Sequence, residues 1–240
     1  MTDAIKILFL TASPATLARL RIDRDYREVD KAIRRALERA RFEIVPAPAA
    51  RVHDLQESMR RHSPQIVHFS GHGDREGILL EDDAGRPMRV TGKALAGLFR
   101  LQMGTIRLVV LSACESESTG QAFHEFVDYT IGMRRKISDR AAIAFSTALY
   151  GALADGETIP RAFDYGVNAM QYEYEDEADV PELLRRPGAS ELLIAPARPV
   201  EQKQSGVSIQ ISHSSVDAPV NAINGDNNTV VNGYGMPKLR

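Results

Sequence analysis

The chain has 240 residues, 43% of them hydrophobic, with 30 basic against 32 acidic residues and a formal net charge of -2. That length fits one large domain, or one domain with an appendage, around a full core, and the interspersed charges leave no field of one sign to hold nucleic acid or an anionic membrane. A single cysteine, Cys114, excludes an internal disulfide; Met1-Thr2-Asp3-Ala4-Ile5-Lys6 lacks the pattern of a secretory signal, and no apolar run nears the roughly 20 residues that span a bilayer, so a cytoplasmic protein is expected.

Ile5 to Leu10 reads as a first strand, closed by Ser13-Pro14. Asp25 to Arg41 carries Val29, Ile33 and Leu37 at i, i+4 and i+8, the spacing of an amphipathic helix. Phe42 to Val45 follows as a strand that ends in a Pro46-Ala47-Pro48 loop, then Val52 to Arg61 as a helix. Ile66-Val67-His68-Phe69 is an apolar run ending in Ser70-Gly71-His72-Gly73. Ile78-Leu79-Leu80 and Met88-Arg89-Val90 flank turn residues and predict a hairpin, and Thr91 to Arg100 a helix. A second apolar run, Leu108-Val109-Val110-Leu111, ends in Ser112-Ala113-Cys114-Glu115. Tyr129 to Met133 is the next strand, Ser138 or Asp139 caps a helix to about Ala154, and Ile159 to Tyr172 is a helix before the acidic stretch Glu173 to Asp179. Strands alternating with helices predict an α/β fold with a mainly parallel sheet sandwiched by helices.

After Pro196 the composition shifts, which divides the chain into a domain of residues 1 to 196 and a linker and tail of residues 197 to 240. The tail is low in complexity and rich in Asn, Ser and Gly, with β-prone segments at Val207-Ser208-Ile209-Gln210-Ile211 and Thr229-Val230-Val231 around a turn-like Asn224-Gly225-Asp226-Asn227-Asn228. Such sequence stacks well in cross-β ladders.

Sites of parallel sheets lie just beyond the carboxyl ends of the strands, so His72 and Cys114 share one edge. A lone cysteine with a histidine elsewhere in the chain is a candidate thiol nucleophile with its base. A free thiol ordinarily has a pKa of about 8.5 and is mostly protonated at neutral pH; an adjacent imidazole takes that proton and later returns it to a leaving amine. Cys114 follows His72 by 42 positions, room for the hairpin, a helix and a returning parallel strand. The glycines on either side of His72 allow close backbone approach.

The runs His68-Phe69-Ser70-Gly71-His72-Gly73 and Leu111-Ser112-Ala113-Cys114-Glu115 resemble the histidine and cysteine motifs of the CHAT proteins, prokaryotic caspase-like cysteine proteases of the clan of caspases and separase. Leu20-Arg21-Ile22-Asp23, Tyr26-Arg27-Glu28-Val29, Ile131-Gly132-Met133 and Ala141-Ala142-Ile143-Ala144-Phe145 with Tyr150 extend the resemblance over roughly residues 5 to 195. It implies a caspase-like fold, His72 as general base, Cys114 as nucleophile and the backbone N–H groups of Gly73 and Cys114 as oxyanion hole. Protein or peptide substrates are implied, with no cofactor and no metal. A role as effector in bacterial stress or antiviral defence is also implied; the alternative is a catalytically silent adaptor with a caspase fold. In the tail, Ile209-Gln210-Ile211-Ser212 and Gly225-Asp226-Asn227-Asn228-Thr229-Val230 resemble fragments of amyloid signalling motifs, which implies a sensor partner or self-assembly. Against that stand an unstructured tail without a partner and a tail released by self-cleavage between Pro196 and Gly206.

Glu115, Asp139 and Asp155 are candidates for binding a basic substrate side chain, since arginine-specific relatives place an acid near the dyad; solvated loop charge and, for Asp139, helix capping are the competing readings. His68 lies within its strand and reads as a core residue or a support to the site, and His53, His62, His124 and His213 show no partner pattern. The Glu173 to Asp179 run reads as a solvated face. A cysteine phosphatase is excluded because Gly120 stands where its arginine is needed; Gly85 to Lys93 has the wrong spacing for a P-loop, and no G-x-S-x-G elbow is present.

Overall fold

The computed structural model describes residues 4 to 193 apart from 15, 18, 19 and 192. These lie in one compact unit, Met1–Ala197, and the tail of residues 197 to 240, with the amyloid-motif and self-cleavage readings, lies outside the described residues.

The elements run β1 (Ile5–Ala12), α1 (Ile22–Arg35), β2 (Phe42–Ala47), α2 (Val52–His62), β3 (Ile66–Asp74), β4 (Gly77–Glu81), β5 (Pro87–Thr91), α3 (Gly92–Leu101), β6 (Leu108–Ser112), α4 (Glu117–Gln121), β7 (Tyr129–Met133), α5 (Asp139–Ala154), α6 (Ile159–Glu173) and β8 (Pro181–Arg185). The main sheet has the order β2-β1-β3-β6-β7-β8. Every pair is parallel except β7 with β8. The chain steps outward from β1 to β2 and then returns past β1 to β3, so its order reverses there; in such sheets ligands bind outside the carboxyl ends of the strands at that reversal.

Side chains alternate across each strand and divide the core in two. Phe9, Ile66, Val110 and Ile131 face α1, α5 and α6, where they meet Val29, Ile33, Phe145, Leu149 and Ala162. Leu8, Val67, Phe69 and Val109 face α2 and α3, against Leu55, Met59, Leu95 and Phe99. Helix α5 is buried nearly all round because it lies between the sheet and α6, and its run of alanines permits that approach. Ser138 caps it, accepting from the Ala141 N–H at 3.3 Å.

Three expectations are corrected by these boundaries. The first helix begins three residues earlier than its periodicity predicts and ends at Arg35: Ala36 is extended, and Leu37, on the apolar spacing, is 80% exposed. Its amide is instead taken by Asp155 Oδ1 at 2.8 Å. Pro46 and Ala47 belong to β2 rather than to a loop, which an edge strand tolerates because one side of its ladder is unused. The acidic stretch is not only a solvated face, since Glu177 accepts from both the N–H (2.6 Å) and the hydroxyl (2.8 Å) of Ser138 and Asp179 pairs with Arg135.

Candidate active site

Ser70 on β3 and Ser112 on β6 are register partners, and His72 and Cys114 each stand two residues further along. Alternation continues the face of His68 and Val110 through Ser70 and Ser112 toward both groups, the face covered by α1 and α5. His72 and Cys114 are both half-buried and line one cleft with Asp25 of α1 and with Ala142 and Ile143 of α5. The cleft encloses about 50 Å³.

Close approach of the two strand ends depends on Gly73. A Cβ there would sit 2.9 Å from the Ala113 Cβ and 3.3 Å from the carbonyl oxygens of Cys114 and Gly77. The bare Cα therefore makes room for the cysteine segment. Past Gly73, the turn into β4 is fixed by Asp74, whose Oδ1 accepts from the Glu76 (2.9 Å) and Gly77 (3.2 Å) amides while Oδ2 pairs with Arg89. Burial pushes the Asp74 carboxyl up, but the Arg89 hydrogen bond and these amides outweigh it and hold it below its ordinary value.

The segment after Cys114 is tied from below. Ser116, fully buried, donates its hydroxyl to the Leu111 carbonyl at 3.0 Å and accepts from the Met133 amide at 3.1 Å. Gly132 allows this, since a Cβ on it would lie 2.8 Å from the Glu117 Cα. Glu115 adopts the left-handed conformation, φ 51°. Across the mouth, Arg75 Nε donates to Glu115 Oε1 at 3.1 Å and Ser118 Oγ donates to the Arg75 carbonyl at 2.8 Å, joining the histidine turn to the cysteine segment.

Behind the cleft lies a buried polar chain. His68, fully buried, stacks on Phe9 at 4.2 Å between ring centroids, with Nδ1 3.1 Å from the Tyr150 hydroxyl and Nε2 3.3 Å from Asp25 Oδ2. His68 Nε2 and Asp25 Oδ1 are both buried without a hydrogen-bond partner, so the imidazole and the carboxyl meet at ion-pair distance without a directed hydrogen bond. Burial, and then the charge of Asp25, push the Tyr150 hydroxyl well above its ordinary value, which keeps it a donor.

Among the sequence candidates, His72, Cys114 and Asp139 border the cleft, with Gly73 beside His72. Asp139 is the first residue of α5 rather than its cap, and its Oδ2 accepts from the Arg21 amide at 3.1 Å. Glu115 is not among the lining residues; its carboxylate is turned to Arg75. Asp155 sits at the opposite end of α5, about 24 Å along the helix from Asp139, where it receives the Leu37 amide; it does not reach the cleft. Asp25 and Ser116 were not marked by the sequence. Asp25 stands four and eight positions before Val29 and Ile33 on the buried face of α1, a polar residue on the apolar stripe, and its contact with His68 sets it apart from the helix's other acids. Of the other histidines, His53 pairs with Asp54, and Nδ1 of His124 lies 2.8 Å from the Gln121 carbonyl oxygen. Among the described residues no group of three His, Cys, Asp or Glu side chains is placed to hold a metal ion, and no helix is long and apolar enough to cross a membrane.

The family model of the CHAT domain matches residues 9–199, and the chain belongs to that family. It is 22% identical over 171 residues to a probable protease of Gillisia limnaea, covering 69% of this chain and 30% of the relative. It is 25% identical over 174 residues to a Roc-COR-CHAT protease of an unknown prokaryotic organism, covering 69% of this chain and 16% of that one. The chain thus spans less than a third of the length of either relative. Its fold is similar to that of the Arg-specific cysteine proteinase gingipain R, with a TM-score of 0.56 at 10% identity over 79% of this chain and 48% of the other. A secreted C11 cysteine protease from Bacteroides thetaiotaomicron gives a TM-score of 0.51 at 13% identity, over 72% and 59%.

Proposed function

We propose that the chain is a caspase-like cysteine endopeptidase working through a Cys114–His72 dyad. The observation that carries this reading is the placement of both side chains in one cleft at the ends of neighbouring parallel strands, within a family whose relatives are named proteases.

The reaction follows from the groups present. His72 takes the Cys114 proton, and the sulfur attacks the carbonyl carbon of the scissile peptide. The resulting oxyanion is held by the backbone N–H groups of Gly73 and Cys114, donors that need no charged side chain. Collapse breaks the C–N bond, and the amine leaves with the proton from His72. Water, deprotonated by His72, then attacks the thioester, releasing the acid and restoring the thiol.

In the cell the chain acts as an effector of bacterial stress or antiviral defence, with the tail of residues 197 to 240 recruiting a sensor or clustering the enzyme. A catalytically silent adaptor is the competing reading. Reaction of the full chain with iodoacetamide, followed by mass spectrometry at Cys114 from pH 5 to 9, separates the two. The peptidase reading expects alkylation near neutral pH that falls at least about tenfold in His72→Ala. Alkylation that ignores His72 would support the adaptor.

A further inference from the structure

A second pocket adjoins the cleft along α5. It is lined by Arg24 of α1, by Arg140, Ile143 and Ala144 of α5, and by Glu173 and Tyr174 at the end of α6, and it holds about 420 Å³, within the size range of ligand sites. Ile143 lines both the pocket and the cleft, so a peptide leaving the cleft on that side passes over it. Arg24 and Arg140 converge there, since the charges of both act on the one Tyr174 hydroxyl. Among the described residues neither guanidinium has an ion-pair partner, although acids lie nearby on their own helices. Those acids are engaged elsewhere. Asp23 pairs with Arg27, Asp25 is buried against His68, Glu28 pairs with Lys31, and Asp139 accepts from the Arg21 amide. Glu173, at the pocket itself, is hydrogen-bonded to Tyr174.

We infer that this pocket is a docking site, outside the catalytic cleft, for an aspartate or glutamate of the protein substrate, held between Arg24 and Arg140. The inference rests on the peptidase reading above and adds a feature of the substrate at a distance from the bond that Cys114 attacks. Two cations held in one pocket repel each other, and both stand in the first turn of a helix, where the macrodipole already favours negative charge. A carboxylate placed between them relieves both conflicts and accepts the paired hydrogen bonds that guanidinium groups offer. Arg21, exposed at the rim of the cleft, stands one turn before Arg24, so a cationic surface runs from the rim to the pocket. The pocket opens beside a cleft that takes a polypeptide, and the common anions of a polypeptide are its carboxylates. The apolar wall of Ile143 and Ala144 suits the methylene groups that carry them.

The test digests a peptide library prepared from a host proteome with the full chain and reads the sequences around the cleaved bonds by mass spectrometry. The expected result is aspartate and glutamate enriched at least about threefold at one fixed distance from the cleaved bond. That enrichment should vanish in Arg24→Gln/Arg140→Gln and persist in Arg35→Gln/Arg60→Gln, which removes the same charge elsewhere on α1 and α2. All four side chains are exposed, so no variant opens the core. In parallel, the library is passed over immobilised full chain carrying Cys114→Ala, with and without the two pocket substitutions, and acidic peptides should be retained at least about threefold better with the pocket intact. Cleavage without an acid at a fixed distance, or an enrichment that both double variants keep or both lose, overturns the docking site and leaves the peptidase reading standing. Retention that needs Arg24 and Arg140, without cleavage by the wild type, keeps the docking site and removes the peptidase reading. Neither cleavage nor selective retention overturns both.

Discussion

Ser116 and Met133 lie 17 positions apart in sequence and are joined by a buried hydrogen bond of 3.1 Å, from the Met133 amide to the Ser116 hydroxyl. The same hydroxyl donates to the Leu111 carbonyl, so one small side chain two residues past Cys114 fastens the nucleophile segment to β6 and β7. Ser116→Ala leaves both backbone groups buried without that partner. The expected cost is about 1–3 kcal/mol in urea unfolding, with kcat falling more than KM rises because the thiol loses its position rather than the cleft its shape. Unchanged stability and unchanged kcat would show that the bond does not position Cys114.

Gly73→Ala places a methyl 2.9 Å from the Ala113 Cβ, against backbone-anchored groups that cannot swing away. A loss of about 1–3 kcal/mol is expected from overpacking. Activity should fall further than stability alone accounts for, because the methyl pushes the His72 and Cys114 strand ends apart. Thermal unfolding and turnover of the same preparation check this.

Tyr150→Phe removes the donor facing the buried Nδ1 of His68. A destabilisation of about 1–3 kcal/mol is expected, read by chemical unfolding. Conversion of His68 to Gln should be worse, since it also removes the ring stacked on Phe9 and the group facing Asp25.

The carboxyls of Glu117, which opens α4, and Glu182, on β8, form a hydrogen-bonded pair. Burial, then the hydrogen bond and charge of Glu182, raise the Glu117 pKa above its ordinary value against the pull of Arg134. The folded state therefore holds this proton more tightly than the unfolded chain. Its contribution to stability is complete below the unfolded carboxylate range and is lost as pH rises through the folded value. Asp74 has the opposite sign: its lowered pKa contributes above the unfolded carboxylate range and is lost as pH falls through the folded value. Glu117→Gln should raise the unfolding temperature at pH 7 and leave it nearly unchanged at pH 3.5, a comparison made by scanning calorimetry at the two pH values.

The parallel strands were legible because their signal is local. Tyr129 to Met133 matches β7 to the residue, and the two runs ending at His72 and Cys114 are β3 and β6. That legibility extended to the placement of His72 beside Cys114, since β3 and β6 start level, Ile66 opposite Leu108, and both residues lie six positions further on. It failed where a tertiary contact decides. Leu37 fits the helical period, yet the chain leaves the helix at Ala36, and Asp155, 118 positions away, takes the Leu37 amide. Strand β8 carries no alternation in Pro181-Glu182-Leu183-Leu184-Arg185 and exists as a strand by pairing antiparallel with β7. Asp25 falls on the Val29 and Ile33 stripe of α1, so its burial follows from the helical period, but its partner His68 on β3 is set by the fold.

The most direct test of the central claim is N-terminal profiling of a host lysate incubated with the wild-type chain, Cys114→Ala or His72→Ala. The account predicts new protein N-termini with the wild type and none with either variant. The same N-termini appearing with Cys114→Ala, or none with the wild type, would contradict it.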